Sequence, residues 1–121
     1  MSTHTLKKSD LILFTGSECW YRHSLVRDVL FTDGAKHVAD AGGAYWLLDE
    51  IAFAQKRLKA VRALEFQLWK LTVKPDQTAT LVCEDGNGHA AYKMLLPYTD
   101  FPLDTVSFYY VNKTILLPSE Y

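Results

Sequence analysis

The chain is poor in the features that mark specialised architectures. Two cysteines, Cys19 and Cys83, stand 64 positions apart in 121 residues. That is too sparse for a disulfide scaffold, and two free thiols in a reducing compartment are expected. No apolar run approaches the roughly 18 residues that a membrane-spanning helix needs. No apolar segment of signal-peptide length follows Lys7 and Lys8, so a soluble chain without a secretory signal is expected. Neither sign of charge dominates: 13 Lys+Arg oppose 14 Asp+Glu, a net charge of -1. No global field would then draw the protein to nucleic acid or to anionic lipid. Six glycines and four prolines exclude collagen-like and low-complexity chains.

What the chain does have is apolar content, 49% of its residues, with 13% aromatic and 22% charged. At this length that supports one domain with a real core, about two-thirds of the unfolded surface being buried on folding. The apolar spacing changes near residue 64. Before it, Leu6, Leu11 and Leu13 with Phe14 permit a short helix between Thr5 and Phe14. Thr32 or Asp33 is placed to cap a helix from Ala35 to about Asp40, with Gly42-Gly43 as its break. The stretch from Cys19 to Arg27 fits neither a helical nor a strand period. Ala44, Leu47, Leu48, Ile51, Ala54 and Leu58 fall at helical spacing and predict a helix from Ala44 to about Leu58. Tyr45, Trp46 and Phe53 lie off that stripe, so the helix is expected to be covered on more than one side.

After residue 64 the period is two. Strands are predicted over 65–73, 78–84, 90–96, 105–111 and 114–117, with Asp85-Gly86-Asn87-Gly88 and Asn112-Lys113 as hairpin turns. The apolar parity changes at Trp69-Lys70, which suggests a β-bulge there. The expected fold is a single α+β domain over residues 1–121. N-terminal helices (1–64) pack on a C-terminal antiparallel sheet (65–121), a meander of four to five strands, in two layers.

Residues with chemical potential are scattered. Cys19-Trp20-Tyr21-Arg22-His23 brings a thiol, an imidazole and two rings into five positions. It admits a Cys/His nucleophile pair, with Asp33 as a third member, or two ligands of a metal site. The spacing is not that of a zinc pair, and His37, His89 and Cys83 supply no second one. No catalytic residue, metal or cofactor is therefore assigned. Thr32-Asp33-Gly34 could open a phosphate-binding helix, but a cap and a glycine are also what any helix start uses. Gly42-Gly43 lacks the strand and the further glycine of a nucleotide loop. Asp49 and Glu50 are adjacent, about 100° apart on a helix, and cannot flank one scissile bond.

Two features remain. Lys56, Arg57, Lys59 and Arg62 fall within seven positions that contain no acid. They could contact nucleic-acid phosphates, although a helix C-terminus favours the same residues locally. The aromatic residues exceed what one sheet face and one helix stripe absorb, and in Phe108-Tyr109-Tyr110 neighbouring rings must point to opposite faces of a strand. Trp20, Tyr21, Arg22, Trp46, Phe53 and Tyr109 are the candidates for a protein interface or a homodimer contact.

Several stretches also carry a resemblance. They are Phe14-Thr15-Gly16-Ser17 with Trp20-Tyr21-Arg22-His23, Phe31-Thr32-Asp33-Gly34, residues 43–51, Phe66-Gln67-Leu68-Trp69-Lys70-Leu71, residues 99–103, and Leu117-Pro118-Ser119-Glu120-Tyr121. Through them the chain resembles a small family of uncharacterised proteins from bacteria, their phages and plasmids. The resemblance implies no activity for any residue. It implies a setting: a mobile genetic element in the cytoplasm of a bacterial host, where inhibitors of host defence such as anti-CRISPR proteins are common. The expected function is a non-enzymatic binding protein that occupies a host protein complex, such as a CRISPR effector. A nucleic-acid-contacting accessory protein is the second reading and a small Cys/His enzyme the third.

Overall fold

A computed structural model describes residues 6–11, 13 and 19–121. The Thr5–Phe14 helix expected from the sequence is seen as α1, Lys8–Leu11; residues 5, 12 and 14 lie outside the described ones. Helix α2, Asp33–Gly42, begins where a cap was expected: the Thr32 hydroxyl accepts the Ala35 N–H at 3.3 Å. It ends at Gly43, whose left-handed backbone (φ 61°) suits glycine. Helix α3, Tyr45–Arg57, buries Leu47, Leu48, Ile51 and Ala54, and the extended residue Leu58 separates it from the single turn α4, Lys59–Arg62. The off-stripe residues do not require a second cover. Tyr45 is exposed, its hydroxyl donating to Asp40, while Trp46 and Phe53 are half-buried.

The sheet is larger than the sequence suggested and is not a simple meander. Among the described residues its seven strands are β1 (Trp20–Arg22), β2 (Leu30–Thr32), β3 (Phe66–Val73), β4 (Ala79–Glu84), β5 (Ala90–Leu96), β6 (Thr105–Val111) and β7 (Thr114–Leu116). They lie in the order β1-β2-β7-β6-β3-β4-β5. Strands β3, β4 and β5 form the expected hairpins, but β6 crosses to the other flank of β3. Strand β7 then pairs in parallel with β2, so the sheet is mixed and draws two strands from the N-terminal half. Both added strands have three residues, too few for a two-residue period to show.

The bulge expected at Trp69-Lys70 is absent: β3 pairs with β6 without interruption from Phe66 to Thr72. Gln67, Trp69 and Leu71 are the buried residues of β3. Phe66 and Leu68 therefore point the other way, and the change of parity was only apparent. The irregularity in the ladder lies between Cys83 and Glu84.

Helices α2, α3 and α4 lie against one face of the sheet. Under them runs the row Tyr21, Phe31, Ile115, Tyr110, Gln67, joined by strand register. The next row is Phe108, Trp69, Cys83 and Tyr92. Within this core Gln67 has 0% exposure. Its amide donates to Gln55 Oε1 and to the Val61 carbonyl, both at 2.9 Å. Its oxygen accepts from Gln55 Nε2 and from the Trp69 indole, both at 2.8 Å. A fully satisfied amide can occupy a position that otherwise demands an apolar side chain. Among the described residues no helix is long and apolar enough to cross a membrane.

Candidate functional site

The face of the sheet away from α2, α3 and α4 is the candidate surface. A solvated sheet face normally alternates to polar residues. Here it carries Leu30, Phe66, Leu68, Val82, Tyr109 and Val111, all half-buried, with Leu116 buried. Strand register aligns Leu116, Tyr109, Leu68 and Glu84 in one row, and Ser107, Lys70, Val82 and Lys93 in another. Phe66, Tyr109 and Tyr121 form a three-ring cluster with centroids 4.9, 5.2 and 5.7 Å apart. Tyr121 keeps 70% exposure. The 3-10 turn Pro118–Glu120 and α1 flank this surface, tied by the Ser119 hydroxyl donating to the Leu11 carbonyl at 2.8 Å.

Only part of the sequence-derived interface set lies there. Trp20, exposed at 57%, and Arg22 share the outward register of Thr32 and Leu30, and Tyr109 faces outward as one ring of its triplet had to. Tyr21 faces the helices, stacked on Phe31 at 5.6 Å with the Lys36 ammonium 5.4 Å from its ring centre. Trp46 and Phe53 sit on α3, where Phe53 meets the His23 ring edge at 5.8 Å and the Arg57 guanidinium at 5.3 Å. Phe66, Leu68 and Leu116 escaped notice because the assumed bulge had placed Phe66 and Leu68 inside. The polar identity of Gln67 was the signal that misled.

The Cys19, His23 and Asp33 set does not assemble into a catalytic arrangement. Cys19 and His23 flank β1 with its three residues between them, and four extended rises separate their backbones by about 13 Å. His23 is 4% exposed with both ring nitrogens in use. Nδ1 accepts the Leu25 and Val26 N–H groups at 3.1 and 2.9 Å, which places the proton on Nε2 for donation to Asp49 Oδ1 at 2.7 Å. The imidazole is a loop cap tying residues 23–29 to α3. Asp33 instead lies near the Tyr21 hydroxyl, whose pKa is raised by burial first and by that carboxylate second. Cys19 is exposed, and burial pushes the thiol of Cys83 up to about 12. No group of three His, Cys, Asp or Glu side chains able to hold a metal occurs among the described residues.

The N-terminus of α2, considered as a phosphate site, holds a carboxylate of the chain itself. Glu120 Oε1 accepts from the Thr32 hydroxyl at 2.6 Å and the Leu117 N–H at 2.9 Å, and Oε2 from the Gly34 N–H at 3.2 Å.

The four basic candidates diverge. Lys56 pairs with Asp28 at 3.2 Å, and Arg62 donates to the Lys56 carbonyl at 3.1 Å. Both line a cleft at the end of α3, whereas Arg57 lines a separate hollow beside Tyr92 and Met94. Lys59 is exposed on α4.

In comparison with known proteins, no curated protein and no solved structure matches the chain. Residues 5–121 match the model of a family described as a family of unknown function, DUF6876.

Proposed function

The chain belongs to the DUF6876 family, whose function is unknown, and on that premise we propose that it is a non-enzymatic protein-binding module that engages its partner through the outer sheet face. The observation carrying this reading is the run of apolar and aromatic side chains where a solvated sheet would place polar ones. A surface of this kind gains most by being covered by another protein. The outer face also presents exposed Lys70 and Lys93 in one register row. Two lysines side by side favour a partner that sets acidic groups opposite them, and in this reading that partner is a different protein. An inhibitor of the anti-CRISPR kind, seated on a host complex, is the finer form of this proposal.

The test is site-specific photo-crosslinking in a bacterial host. A photoreactive residue at Val82 or Lys70 should capture one protein, a residue at Asp40 or Lys59 on the helix side should not, and Tyr109→Lys should abolish the capture. Capture from the helix side alone, or capture only of a second copy, overturns the reading.

A further inference from the structure

The cleft at the end of α3 has a volume of about 680 Å³ and is enclosed by α3, α4, the start of β3 and the β6–β7 turn. That is within the range of small-molecule sites. Its charged lining is Lys56, Arg62 and Lys113 against Asp28 and Glu65. Lys56 and Asp28 largely neutralise each other as a pair. Arg62 uses one terminal nitrogen on the Lys56 carbonyl, which leaves further donors of its fork for a ligand. Lys113 stands on a tight turn in the left-handed region (φ 60°), anchored where its carbonyl accepts the Leu30 N–H at 2.9 Å.

Tyr110 lines the same cleft at 8% exposure, and its hydroxyl has no protein partner among the described residues. The neighbour across the ladder, Gln67, cannot serve, because all its hydrogen-bonding positions are in use. Burial first, and the charge of Asp28 second, push the phenol up to about 12, so it stays protonated and able to donate. The hydroxyl is not sealed off, since Thr105 Oγ1 is the one buried side-chain polar atom without a partner among the described residues; it opens to the solvent of the cleft, where a ligand can meet it.

We propose that this cleft binds a sugar phosphate or mononucleotide, its phosphate held by Arg62, Lys113 and the Tyr110 hydroxyl and its sugar hydroxyls facing Glu65. Donors arriving from three separate elements suit a tetrahedral dianion, which offers three terminal oxygens, better than a planar carboxylate. Lys56, with its charge shared by Asp28, adds a weaker attraction.

The experiment is a nitrogen-15 NMR titration of the intact protein at constant ionic strength, with ribose 5-phosphate, AMP and unphosphorylated ribose as probes. The Trp69 indole N–H, bonded to Gln67 at the floor of the cleft, and the Asn112 and Lys113 amides are the reporters. At least one of the two phosphates should shift them saturably, and ribose should not. Arg62→Gln and Lys113→Gln should each weaken binding about tenfold. Tyr110→Phe should weaken it several-fold while the dispersed spectrum shows the fold retained. No saturable shift with either phosphate up to about 10 mM, where any affinity is below ~3 kcal/mol, overturns the proposal. So does affinity unchanged in the Arg62→Gln/Lys113→Gln double variant. Displacement by a tighter-binding single-stranded oligonucleotide would make the cleft part of a nucleic-acid groove and also overturn it.

Discussion

Gln67 and Gln55 exchange hydrogen bonds as a closed amide pair, and the indole of Trp69 hangs from the same oxygen. Gln67→Leu keeps the volume but strands the Trp69 N–H and takes one partner from the Val61 carbonyl and the Gln55 amide, which keep the Leu64 N–H and the Ile51 carbonyl. It should cost about 2–4 kcal/mol in urea unfolding, and a cycle with Gln55→Ala should be non-additive by about 1 kcal/mol or more. His23 makes a different residue-scale prediction: nitrogen-15 NMR should find the proton on Nε2, because Nδ1 receives two backbone donors. Cys83 and Tyr110 set the alkaline limit. Both are raised to about 12 from ordinary values of 9.0 and 10.0, so the unfolded chain loses these protons first. Their stabilisation is complete below pH 9 and declines as pH rises towards 12, by up to about 1.4 kcal/mol per pH unit for each group. The urea midpoint should fall across that window, and Cys83→Ala should flatten the part between pH 9 and 10.

At the scale of elements, the start of α2 depends on residues from the far end of the sheet. A Cβ on Gly34 would lie 2.4 Å from Glu120 Oε1 and 2.7 Å from a Leu117 methyl. Gly34→Ala should therefore destabilise the fold by about 1–3 kcal/mol. The loss should be smaller when measured in the Glu120→Ala background, since part of the clash and all of the Glu120 cap are then already gone; thermal unfolding of the four proteins gives the comparison. This element also shows how much the sequence disclosed. The Thr32 cap, the left-handed break at Gly43, the buried stripe of α3 and the hairpins at 85–88 and 112–113 were legible because each is decided within a few residues. Strands β1 and β2 were not, because three residues each show no period and the parallel partner of β2, β7, lies more than eighty residues beyond it. The outward parity of Phe66 and Leu68, and hence most of the candidate surface, was hidden by the buried Gln67. Its place in the core makes sense only when Gln55 and Trp69 are seen beside it. The cleft at the end of α3 was legible only as a run of basic residues, since Lys113 and Tyr110 reach it through the sheet.

For the whole molecule, the sheet has unequal edges. Strand β1 has three residues, whereas β5 has seven and, among the described residues, no further strand beside it. An edge that long invites pairing with another chain, and a lysine near its middle is a common guard. Lys93 is exposed there. Lys93→Val should produce concentration-dependent self-association, read as a rise in molar mass by light scattering while the wild-type mass stays constant. At the other edge, the parallel pair β2–β7 and the Glu120 carboxylate on α2 join residues 30–34 to residues 114–120. On a ribosome residues 30–34 emerge before residues 114–120: β2 can meet β1 but lacks its parallel partner β7, and α2 lacks the Glu120 carboxylate, until those later residues have left the exit tunnel. The order of translation is thus not the order of assembly. A nascent chain of this protein carries β2 with one side open from its emergence until β7 follows, more than eighty residues later.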